Sequence, residues 1–154
     1  MKIAYRVLAY LIAAGVPLQA AFIAFMVFGI WHDVDQGEVV YQGYEPNAGA
    51  PLHGITGMLV IPSVAIILMI VSFFARIPRG VRWAGTILGV VLVQVALAFV
   101  AFGAAVVGLL HGFNALVLFT VALYAGLRVT RTRHAAPDPE TARVEPSRVR
   151  AAAP

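Results

Sequence analysis

Residues 52–75 read LHGITGMLVIPSVAIILMIVSFFA, without one Asp, Glu, Lys or Arg. An α-helix crosses the hydrocarbon core of a bilayer in about 20 apolar residues, so this stretch is long enough to span. Working outward, three more stretches are equally free of charge: 7–31, 83–104 and 110–127. Four such segments and no strand-like alternation predict an all-α, four-helix transmembrane bundle.

Composition agrees. Of 154 residues 61% are hydrophobic and 12% charged, with mean hydropathy +0.89. A soluble domain carries about 25% charged residues, so too few are present here to coat a water-facing surface. Soluble enzymes, secreted disulfide scaffolds and disordered activators are thereby excluded. The chain has no Cys, which removes thiolate catalysis, Cys-ligated zinc, iron–sulfur clusters and thioether-linked haem.

The charges are sorted along the chain. Lys2 and Arg6 precede the first span, Arg76, Arg79 and Arg82 fill the turn after the second, and Arg128, Arg131 and Arg133 follow the fourth. Residues 32–51 hold no Lys or Arg but carry Asp33, Asp35, Glu38 and Glu45. The positive-inside rule then puts both termini in the cytoplasm and the acidic loop outside, as for a multi-pass protein of the plasma membrane. This arrangement explains the net charge of +4, so the lipid bilayer is the expected partner and nucleic acid is not. Leu18-Gln19-Ala20 resembles a signal-peptide cleavage site, yet apolar character runs on to Trp31, so the first span reads as a retained helix. Residues 1–131 form the membrane domain. Residues 132–154, rich in Pro, Ala and Arg, read as a disordered cytoplasmic tail that contains His134.

The two halves repeat. Gly15-Val16-x-Leu18 and Ala24-Phe25-x-x-Phe28-Gly29 recur ungapped as Gly89-Val90-x-Leu92 and Ala98-Phe99-x-x-Phe102-Gly103. Leu52-His53-Gly54-Ile55-Thr56-Gly57-Met58 recurs as Leu110-His111-Gly112-Phe113-Asn114-Ala115-Leu116. The bundle is therefore expected to consist of two parallel two-helix repeats about an axis along the membrane normal. His53 and His111 then open parallel helices at one depth near the outer face.

Ionisable residues in spans are functional candidates. One reading has each imidazole reach interfacial water and cap its helix. The sharper one is axial ligation of a single haem b, whose iron takes two donors on opposite sides of a flat ring. Gly54, Gly57, Gly108 and Gly112 would leave room for the macrocycle. Thr56 and Asn114, each three residues after a histidine, would bond a propionate or an ordered water, or make interhelical hydrogen bonds. A copper or zinc site completed by His32, Asp33 and Asp35 is a third option. Gln19 and Gln94 near mid-span would line a quinone cavity or bond across helices. Gly85 and Gly89 form a small-residue packing pair, and Tyr5, Trp31 and Trp83 are expected to be interface anchors.

The His53–His111 pair on a four-helix unit resembles half of the haem A synthase fold, which is built from two such bundles. The resemblance covers roughly residues 7–127 and implies haem binding. Haem A synthases have a glutamate four residues before a haem-site histidine, where this sequence has Gly49 and Val107. The wording around both histidines also resembles small four-span membrane proteins of actinobacteria whose function is unknown. No second histidine pair is present for a two-haem transmembrane cytochrome. With both axial positions filled, electron transfer, redox sensing or haem handling is expected ahead of oxygen activation. A membrane redox partner or quinone would complete such a role, and a homo-oligomer is compatible with it. The alternative from another class is a cofactor-free accessory or assembly subunit of a larger membrane complex.

Overall fold

The computed structural model describes residues 1–134, and the 135–154 part of the tail lies outside them. Four helices account for nearly all the described residues, and no strand is among them: α1 (Lys2–Asp35), α2 (Gly49–Phe74), α3 (Gly80–Gly103) and α4 (Val107–His134). All four contain a stretch long and apolar enough to cross a membrane. The chain is an all-α four-helix bundle. Each helix packs on the next in sequence, and α4 closes the ring against α1. That order makes α2 and α4 diagonal partners across the bundle.

Helix ends differ from the hydropathy limits for local reasons. At about 1.5 Å per residue, α1 is roughly 50 Å long and outruns a hydrocarbon core of about 30 Å. It stops where Gly37 adopts a left-handed φ of +95°, with Glu38 N–H bonding the Asp33 carbonyl at 3.0 Å. Both α2 and α4 begin three residues before the expected Leu52 and Leu110, at Gly49 and Val107. Residues 132–134, expected in the tail, continue α4, because a helix does not need apolar residues to propagate.

The acidic loop returns through a close approach. A Cβ on Gly49 would lie 2.4 Å from the Phe22 carbonyl oxygen and 2.7 Å from Met26 N, so only glycine lets α2 start against α1 there. Asn47 donates to the Phe25 carbonyl at 2.8 Å and accepts from Gly49 N–H at 3.0 Å. Tyr44 donates its phenol proton to the Asp33 carboxylate at 2.5 Å. That hydrogen bond, with burial and the charges of Asp33 and Glu38, raises the Tyr44 pKa above its usual value of 10.0.

The buried side chains all lie in one half. Among the described residues they fall between Tyr5 and Val16 on α1, Ala65 and Ser72 on α2 with Ala75 after it, Ala84 and Val91 on α3, and Leu118 and Val129 on α4. Alanine is the commonest of them, a small residue that lets apolar helices approach when lipid is as apolar as their partner. At this arginine-rich end Tyr5 donates to the Gly80 carbonyl at 3.0 Å, and the Arg128 guanidinium lies 5.9 Å from the Trp83 ring and 5.8 Å from the Tyr124 ring. Toward the acidic loop, residues 17–61 contain one buried residue, Gly49, and residues 92–117 none. The bundle is tight at the arginine end and loosely packed at the loop end. A Cβ placed on Gly85 or Gly89 would meet nothing within 4 Å, so the expected packing pair faces away from the other helices.

Candidate functional site: a histidine pair with two glutamines

Each histidine is the fifth residue of its helix, about one turn inside the loop end. Their ring centroids are 6.3 Å apart, with the planes inclined at 59°. The diagonal placement of α2 and α4 therefore brings together the two side chains that the sequence singled out. Both are half-buried in the loosely packed half.

Around His111 the hydrogen bonds form a closed circuit that admits one tautomer. Nδ1 is 3.1 Å from the Gln94 carbonyl oxygen, which can only accept, so Nδ1 carries the proton. Nε2 is left with its lone pair and takes a hydrogen bond from the Gln94 side-chain amide at 3.1 Å. The Gln94 amide oxygen in turn accepts from Asn114 at 2.7 Å, and Asn114 also donates to the Val90 carbonyl at 3.1 Å.

Around His53 the partners are equivalent and the pattern differs. The Gln19 carbonyl oxygen is 3.3 Å from Nδ1. With its amide nitrogen toward His53, Gln19 donates to Nδ1 at 2.8 Å and to the His53 carbonyl at 3.1 Å, while its oxygen takes Gly57 N–H at 3.3 Å and the Thr56 hydroxyl. Turned by half a rotation, the amide nitrogen meets only the Thr56 hydroxyl and the oxygen confronts the His53 carbonyl. The first orientation satisfies four groups and is the one held. Its amide at 2.8 Å is nearer to Nδ1 than the Gln19 carbonyl at 3.3 Å, so Nδ1 accepts and the His53 proton sits on Nε2, an atom without a hydrogen bond to any described residue.

A local irregularity in α2 makes this contact possible. Residues Thr56–Val60 form a π-helical turn, with Ile61 N–H bonding the Thr56 carbonyl five residues back. Pro62 has no N–H to give Met58, and the Gln19 amide enters the disturbed ladder. Gly57 is needed because a Cβ there would lie 3.0 Å from the Gln19 side-chain amide.

The expected site is thus redrawn in part. Gly54, Gly108 and Gly112 face open space, whereas the gap at Gly57 is filled by Gln19. Thr56 and Asn114 take the interhelical alternative, each bonded to a glutamine on the neighbouring helix one turn deeper than its histidine. Among the described residues no group of three or more His, Cys, Asp or Glu is placed to hold a metal ion, so His32, Asp33 and Asp35 add no ligand to the histidines. The direct glutamine–histidine contacts were hidden in the sequence. The ungapped repeat pairs Gln19 with Val93, and only the structure shows Gln19 and Gln94 to be counterparts.

The 6.3 Å between ring centres matches the separation of roughly 6 Å that two nitrogens about 2 Å from one ion would have on opposite sides of it. In comparisons with known proteins, the chain matches no family model, no curated protein and no solved structure.

Proposed function

We propose that the protein is a membrane haem protein in which His53 and His111 are the axial ligands of one haem b. The observation that carries this reading is the 6.3 Å separation of the two rings on diagonal helices. The donor set fits, because imidazole is a common axial ligand of haem iron. The described residues 17–61 and 92–117 around the pair bury no side chain, so a ring entering there displaces no core residue.

A bound haem b supplies one-electron redox chemistry at its iron. The chain's own groups orient the donors. The Gln94 carbonyl fixes the proton of His111 on Nδ1, which is the tautomer that presents Nε2 as a lone pair. The Gln19 carbonyl can do the same for His53 once the Gln19 amide turns away. The segregation of Lys and Arg from the acidic loop supports placing the histidines near the outer face of the plasma membrane, with both termini cytoplasmic. Electron transfer, redox sensing or haem handling with a membrane redox partner or quinone are the roles this arrangement suits. The recurrence of a histidine with a glutamine-bonded residue three positions on supports two parallel repeats.

A second reading is favoured by one observation. No buried side-chain nitrogen or oxygen among the described residues lacks a hydrogen bond, so no buried polar atom there is left calling for a ligand. A cofactor-free accessory subunit needs nothing more. Absorption spectra of the purified protein separate the two. The haem reading expects a red protein with a low-spin spectrum and a sharp reduced-minus-oxidised α band. His53→Ala and His111→Ala should each lose most of the haem or turn high-spin, with His32→Ala unchanged. A folded wild-type protein that stays colourless after incubation with haemin leaves the accessory reading standing.

A further inference from the structure

The two imidazoles stand at ligating distance, yet neither offers a bare Nε2. At His111 the lone pair is occupied by the Gln94 amide at 3.1 Å. At His53 the Gln19 amide donates to Nδ1 at 2.8 Å, which moves the ring proton onto Nε2. One glutamine caps the lone pair of Nε2 and the other selects the tautomer in which Nε2 carries the ring proton. Both amides belong to the helix preceding their histidine, and both carry the backbone carbonyl that would support the ligating tautomer.

We propose that Gln19 and Gln94 are paired latches that hold the histidine pair closed to metal until each amide rotates away. This inference rests on the haem reading and adds its regulation: the residues that decide when the ligands become available. Each latch is a rotation about a side-chain bond and needs no helix movement. Release of Gln94 leaves its backbone carbonyl still accepting from His111 Nδ1–H, so the ring stays oriented. Release of Gln19 transfers the His53 proton from Nε2 to Nδ1, where the Gln19 carbonyl receives it. The latches also tie neighbouring helices together at this level, since Gln94 bonds Asn114 and Gln19 bonds Gly57 N–H. They are positioning residues.

The test uses the full chain in detergent or nanodiscs with ¹⁵N-labelled histidine. Without cofactor, wild type should show His111 as the Nδ1–H tautomer with a hydrogen-bonded Nε2, and His53 as the Nε2–H tautomer. Gln94→Met should keep the His111 tautomer and move its Nε2 resonance toward that of a free lone-pair nitrogen. Gln19→Met should shift His53 to the Nδ1–H tautomer. Titration with haemin should then show each variant binding more tightly than wild type, by about fivefold for one neutral hydrogen bond no longer broken. Unchanged imidazole resonances in both folded variants overturn the latches, whatever haemin does. Equal or weaker haemin binding by both, with wild type binding, overturns the latches alone. If neither wild type nor variants take up haemin, the parent reading fails and the latches fall with it.

Discussion

Glycines that look alike in the sequence carry opposite loads in the structure. Gly49 lies against backbone atoms of α1 that cannot step aside, so Gly49→Ala must push α2 away from Phe22 and Met26. Overpacking of this kind costs about 1–3 kcal/mol. Gly112 meets nothing, and in a helix interior alanine is about 1 kcal/mol better than glycine. Gly112→Ala should therefore raise the unfolding temperature of the cofactor-free protein while Gly49→Ala lowers it, as thermal denaturation in one detergent would show. If Gly112→Ala is instead destabilising, Gly112 packs against a neighbour in the folded protein. Residue type and rarity were legible from the sequence, which is why His53 and His111 stood out. What each glycine faces was not, because that depends on how closely two helices approach.

At the scale of elements, hydropathy located four spans and the histidines near one end of two of them, since long uncharged runs leave few alternatives. It could not locate the π turn. That feature follows from Pro62 and from a glutamine on another helix, and only the first is local. The turn sets where His53 points. A π-helical turn holds one residue more than a regular helix over the same length, so deleting Leu59, which is exposed, should restore regular helix. Residues Gly49–His53 would then turn by about 100° relative to Ile61–Phe74. The expected outcome is loss of the Gln19–His53 contact, read as a changed His53 imidazole ¹⁵N spectrum, with the packing around Ala65 and Leu68 preserved in the near-ultraviolet signal. A His53 spectrum identical to wild type would mean that the turn is incidental to the site. Gln19 and Gln94 escaped sequence reading for a related reason. They differ by one place from the ungapped repeat, and a one-residue offset on a helix is enough to conceal a counterpart.

For the molecule as a whole, the asymmetry of packing is the property that no single helix reveals. The four spans are apolar between their charged ends, so nothing in their hydropathy reveals which half packs tightly. Yet Ile12, Leu68, Ile87 and Leu118 are buried at one end, and nothing of their size is buried at the other. Local opening is easier where fewer contacts must be broken, so amides of residues 94–117 should exchange hydrogen faster than those of 84–91 and 118–129 in detergent. Substitution follows the same gradient. Leu68→Ala removes a side chain with no exposure and should cost about 2–5 kcal/mol. Leu97→Ala, in the half-buried loop half, should cost less than about 1 kcal/mol because its surroundings can relax. A loosely packed half around a paired-histidine layer is what a ligand can tighten. Adding haemin should thus slow exchange selectively in 49–61 and 94–117 and leave the arginine end unaltered. Uniform protection across both halves would point to non-specific partitioning of haemin into the detergent–protein surface. Fast exchange at the arginine end without ligand would contradict the packing gradient itself.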